Sequence, residues 1–112
     1  MKYIRTKDGR IIDFDSLTEI AKASVSMDAM EKSCAFEIAD TIEELCDRYV
    51  VIHKYGEQPK DMCFYEAQYF IDVWTRKVKS NDPIVAIYGA IWTEWGLKYV
   101  AKMNEEGELE LL

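Results

Sequence analysis

The last third of the chain places the strongest limit on its fold. Ile84–Thr93 is an apolar, uncharged run, Leu97–Met103 is a second extended run, and Glu108–Leu112 alternates acids with leucines. Glu94-Trp95-Gly96 and Asn104-Glu105-Glu106-Gly107 lie between them and read as turns. Extended runs broken by glycine-containing turns pair with their sequence neighbours, which predicts an antiparallel meander. Gly89 falls inside the first run, where it marks a β-bulge.

The remaining segments read as follows. Tyr3-Ile4-Arg5-Thr6 alternates, Lys7-Asp8-Gly9-Arg10 is a turn, and Ile11-Ile12-Asp13-Phe14 resumes. This predicts a hairpin in which Asp-Gly supplies positive φ. Ser16 and Glu19 have capping-box spacing, which starts a first helix with Leu17, Ile20, Ala21 and Ser24 on one face. Ser24, Val25 and Ser26 leave its continuation through Met27, Met30 and Glu31 open. Ala35–Ala39 reads as a short strand or as the tail of that helix. Thr41 and Glu44 repeat the capping box, and Ile42, Leu45, Cys46 and Tyr49 recur at i, i+3, i+4, i+7, which predicts a second helix. Tyr49-Val50-Val51-Ile52 reads as a strand, and His53–Asp61, with Gly56 and Pro59, as a loop. Met62–Lys79 predicts a third helix, apolar nearly all round and so buried on more than one side, across a sheet and against a second subunit. The expected fold is a single α+β domain over residues 1–112. Its antiparallel sheet comprises the N-terminal hairpin, the Tyr49–Ile52 strand and the C-terminal meander, and packs against two or three helices.

Composition narrows the function classes. At 112 residues, 49% apolar and 31% charged, the chain is globular rather than disordered and needs no metal or disulfide staple. Three cysteines at irregular spacing fit a reduced, cytoplasmic setting. Residues 1–25 hold Asp8, Asp13, Asp15 and Glu19 without an apolar core, unlike a signal peptide. Pro83–Thr93, the longest uncharged apolar run, is too short to cross a bilayer. The net charge of −7 is uneven, because residues 13–47 carry ten acids against two bases. Direct nucleic-acid binding requires a basic stripe. The only clustered bases, Arg76, Lys77 and Lys79, read instead as cations near a helix C-terminus.

Catalytic signals are sparse. His53 is the sole histidine, and a general base needs an orienting partner and a pocket. Cys34, Cys46 and Cys63 lack zinc-ligand spacing. The acid pairs Asp13/Asp15 and Glu108/Glu110 read as solvated strand faces. No nucleotide-binding or hydrolase motif occurs. The expectation is a non-catalytic protein without cofactor or metal, with a small enzyme using His53 or Cys63 as the weakest alternative. The fourteen aromatic residues are more suggestive. Tyr69, Trp74, Trp92, Trp95 and Tyr99 lie on the third helix and the meander, and Trp and Tyr combine apolar area with a polar handle suited to interfaces. Trp95 sits in a predicted turn, where burial within a monomer is hard to arrange. These five form one candidate protein-binding set, which also suits a homodimer. Asp40, Glu43, Glu44 and Asp47 form the other, an acidic surface that competes with nucleic acid for a basic partner.

Three stretches carry a resemblance: Lys2–Gly9, Ala39–Asp47, and the C-terminal segments Gly89–Thr93, Gly96–Met103 and Gly107–Leu112. Together they resemble small uncharacterised proteins encoded by phages and prophages of Gram-positive bacteria. Trp95 departs from the charged residue expected in that turn. The resemblance implies an accessory phage product in the bacterial cytoplasm, acting on a host or phage protein. It transfers no catalytic residue. The alternative it suggests is an acidic inhibitor of a host nucleic-acid-binding defence enzyme, of anti-CRISPR or anti-restriction type.

Overall fold

The computed structural model describes residues 3–6, 9–13, 15, 37–56 and 58–112. The helix expected from Ser16 lies outside these residues. Contacts divide the chain into two compact units, Met1–Leu45 and Cys46–Leu112.

The first unit holds β1 (Tyr3–Arg5), β2 (Ile11–Asp13) and β3 (Glu37–Ala39). They form an antiparallel sheet in the order β2-β1-β3, with Ile4 opposite both Ile12 and Ile38. The expected hairpin is present. Arg10 N–H donates to Thr6 Oγ1 at 3.0 Å, Thr6 N–H donates to the Arg10 carbonyl at 2.9 Å, and Gly9 takes φ 86°. The second predicted helix is a single 3-10 turn, Glu43–Leu45. Its capping box does form: Thr41 N–H donates to Glu44 Oε2 at 3.3 Å, and Glu44 N–H to Thr41 Oγ1 at 3.4 Å. Propagation fails because a single turn leaves nucleation unrewarded, and Arg48 onward pairs with a strand instead.

The second unit holds β4 (Arg48–His53), β5 (Lys60–Met62), α1 (Phe64–Arg76), β6 (Ile84–Thr93), β7 (Gly96–Met103) and β8 (Leu109–Leu111). Its five strands run antiparallel in the order β5-β4-β6-β7-β8. The N-terminal hairpin therefore belongs to a different sheet from the Tyr49–Ile52 strand and the meander, which corrects the single expected sheet. Among the described residues there is one α-helix rather than two or three. The meander matches the reading from sequence, and its register shifts between Gly89 and Ala90. A Cβ on Gly89 would stand 2.7 Å from Cys46 Sγ and 2.9 Å from Leu109 Cδ1. The bulge thus brings backbone, thiol and leucine together where no side chain fits.

Helix α1 begins at Phe64 because Lys60–Met62 is held in the sheet beside Tyr49–Val51. It ends in a Schellman arrangement: Val78 N–H reaches the Val73 carbonyl, Lys77 N–H reaches the Trp74 carbonyl, and Lys77 takes φ 53°. The helix rests on the sheet face that carries Tyr49, whose ring lies 5.6 Å from that of Phe64. Its far end is tied down by Trp74, whose indole N–H donates to the Asn104 carbonyl at 2.8 Å. Only Ala67 is fully buried, while Tyr65 is 85% and Tyr69 70% exposed. The expectation of burial on several sides is therefore corrected. One face meets the sheet, and the aromatic residues on the other remain open.

Candidate functional site

The β6–β7 hairpin gathers the exposed aromatics. Thr93 pairs with Gly96 at its end, and Gly96 takes φ 110°, the left-handed geometry that glycine tolerates. Thr93 Oγ1 donates to the Gly96 carbonyl at 2.8 Å and accepts from Trp95 N–H at 3.2 Å. This hydroxyl fixes the turn with the Trp95 indole directed outward and 89% exposed. Successive strand residues alternate faces, so Tyr88, Ala90 and Trp92 share one side of β6. Tyr99 lies on that side, stacked on Tyr88 with centroids 5.0 Å apart. Lys102 Nζ lies 5.9 Å from the Tyr88 ring centroid, within cation–π range. Trp92 is 54% and Tyr99 37% exposed.

The five aromatics named from sequence therefore separate. Trp92, Trp95 and Tyr99 come together on the hairpin. Tyr69 lies on α1, across the sheet, with its ring against Phe70. Trp74 is half-buried, and its polar handle is occupied by Asn104. Tyr88, an aromatic of the same meander, joins the cluster by stacking on Tyr99.

Of the four acids, Glu43 and Glu44 lie in the 3-10 turn. Asp47 completes a strand edge: its N–H donates to the Ala90 carbonyl at 2.9 Å, and its Oδ2 accepts from Trp92 N–H at 2.8 Å. Glu44 is engaged in the capping box. Asp40 is exposed and Glu43 half-buried. The negative field of the first unit is instead visible at Tyr3. Loss of hydration raises its phenol above the ordinary tyrosine value, and Asp13, Glu43 and Asp15 add to the rise.

His53 has more company than its sequence position implied. Its Nδ1 lies 3.0 Å from the Asp82 carbonyl and 4.0 Å from Asp82 Oδ2, and its ring meets Phe70 edge-on. Asp82 Oδ1 also accepts from Tyr55 N–H at 2.8 Å. An open depression of about 710 Å³ adjoins His53, with Lys60, Ser80 and Gln58 on its wall. The imidazole is thus oriented by the Asp82 carbonyl. Met62 pairs with Tyr49, four residues before His53, so Cys63 stands roughly 13 Å or more away along the strand. A Cys63–His53 pair is thus excluded by register. Among the described residues, no three His, Cys, Asp or Glu side chains converge as a cation site, and no helix is long and apolar enough to cross a membrane. Comparison with protein-family models, curated proteins and solved structures finds no match.

Proposed function

We propose that this chain is a non-catalytic accessory protein of phage or prophage origin that acts by binding another protein through the β6–β7 hairpin. The observation that carries the reading is Trp95, held outward by its own turn on the hairpin that also carries the exposed Trp92 and Tyr99. An indole so exposed adds little to the stability of the monomer. Seated in a partner's pocket, it supplies the apolar area and N–H donor typical of interface anchors. The resemblance carried by the two ends of the chain and by Ala39–Asp47 supports a host or phage protein of the bacterial cytoplasm as the partner.

The test is a tagged pull-down from Gram-positive host lysate at low and moderate salt, with mass spectrometry. Trp95→Ala is expected to abolish recovery of the retained protein without shifting Tm. Recovery that survives both Trp95→Ala and Trp92→Ala overturns the reading.

A second reading, the acidic inhibitor, draws support from the ten acids against two bases in residues 13–47. It predicts capture that fades as salt rises and is lost when Asp40, Glu43, Glu44 and Asp47 are exchanged for lysine.

A further inference from the structure

The end of α1, the connector to β6 and the β7–β8 turn border an open cavity of about 510 Å³ within the second unit. Sites for small molecules span roughly 300–1,000 Å³. Its walls are tied in place. The chain leaves α1 through Lys77 in the Schellman arrangement, and the Trp74 indole N–H holds the Asn104 carbonyl of the turn at 2.8 Å. The turn is also pressed on the helix, since a Cβ on Gly107 would stand 2.5 Å from Thr75 Cγ2. Val73, Trp74, Pro83 and Ile84 are half-buried and form an apolar floor. Lys77, Lys79, Ser80 and Glu105 are exposed and form a polar rim. The His53–Asp82 pair is not part of this wall.

Lys77 is an unusual residue for its place. Among the described residues it is the one non-glycine residue with positive φ. Glycine is common at such a helix end, because a Cβ there is strained. The strained position carries a side chain that the fold does not use. Neither the Lys77 nor the Lys79 ammonium is in a hydrogen bond, ion pair or ring contact among the described residues. The helix dipole has its own cation, Arg76 in the last turn.

Two unpaired cations beside an apolar floor suit an amphipathic anion. Ser80 Oγ accepts from Asp82 N–H at 3.2 Å, which leaves the hydroxyl hydrogen to donate. The N–H groups of Lys77 and Val78 are bound to the Trp74 and Val73 carbonyls, so they offer no backbone nest to a phosphate. The remaining donors match the two oxygens of a carboxylate. The Trp74 N–H is taken by Asn104, which leaves its ring to offer apolar surface. An anionic membrane or a nucleic acid fits less well, because Glu105 stands on the rim and the chain carries a net charge of −7. We propose that this cavity binds a small carboxylate with an alkyl chain, its carboxylate held by Lys77, Lys79 and Ser80 and its chain laid on Trp74, Pro83 and Ile84.

The isotope-labelled protein is titrated with octanoate and followed by NMR, with 1-octanol, acetate and inorganic phosphate as controls. The Trp74 indole signal is expected to shift, and those of Trp92 and Trp95 to stay. Octanol should bind about tenfold more weakly than octanoate, the equivalent of two ion pairs at a solvent-open rim. Acetate and phosphate should bind roughly tenfold more weakly or worse, because they lack the chain. Lys77→Gly should weaken octanoate about threefold, yet leave Tm unchanged or raised, since glycine relieves the positive φ. Lys77→Asn, which also tolerates that geometry, serves if the glycine variant does not fold. Glu105→Gln should tighten octanoate about twofold by removing the opposing charge. Five results overturn the proposal: no saturable shift at Trp74, a shift confined to Trp92 or Trp95, octanol or phosphate binding as tightly as octanoate, Lys77→Gly lowering Tm with octanoate affinity unchanged, or retention on phosphatidylglycerol vesicles that Lys77→Gly abolishes. The site lies at the Ile84 end of β6, so Trp95→Ala should leave octanoate binding at the wild-type level whether or not it abolishes partner capture.

Discussion

The two ends of β6 are built on opposite principles. At the Ile84 end, polar groups are joined to one another: His53 to Asp82, the Asp82 carboxylate to Tyr55 N–H, and Lys54 N–H to the Pro83 carbonyl. At the Thr93 end, one edge is closed by the Asp47 side chain, and three aromatics are exposed. Residues that satisfy each other stabilise the fold and have little left to offer a partner. The Thr93 end has the exposed apolar area and the indole N–H donors that binding uses.

That contrast can be broken at its centre. Gly89→Val drives a side chain into Cys46 and Leu109 midway along β6, with an expected destabilisation of about 2–3 kcal/mol in urea denaturation, typical of overpacking. Both ends should loosen together. Asp47→Ala acts on the hairpin end alone. It removes the acceptor for Trp92 N–H and should cost about 1–2 kcal/mol. Faster exchange should appear at Trp92 but not at His53. His53→Ala is the mirror test. The lost Asp82 bond and Phe70 contact should cost about 1 kcal/mol, while partner capture remains at the wild-type level. Trp95→Ala sharpens the comparison most for the least structural change. Its stability should stay within about 0.5 kcal/mol of wild type, as for an exposed side chain, yet capture should fall at least tenfold. A large loss of stability in Trp95→Ala would show that the indole serves the fold.

The parts of the fold that could be read in advance were the local ones. The capping boxes, the glycine turns and the strand boundaries of the meander depend on residues a few positions apart, and they recur in the structure where described. The segment from Thr41 to Tyr49 shows where local reading fails. Its apolar spacing suits a helix, and Ile42, Leu45 and Tyr49 are all buried, but Arg48 and Tyr49 are taken by Ala90 and Gly89 across the sheet. The aromatic set shows the same limit. Trp92, Trp95 and Tyr99 are brought together by one hairpin, whereas Trp74 is withdrawn by a bond to Asn104, thirty residues on.

The sequence alone was enough to specify an antiparallel meander, a Trp-bearing turn and an uneven acidic charge, because turn geometry, side-chain alternation and charge are properties of short stretches. The tertiary structure decided which strands share a sheet, that Asp47 closes one strand edge, and that Trp74 is bound to Asn104 while Trp92 and Tyr99 stay exposed. Those outcomes depend on which distant strand satisfies each hydrogen bond. That choice is made by the competition of all the strands for partners at once, and no local pattern encodes it.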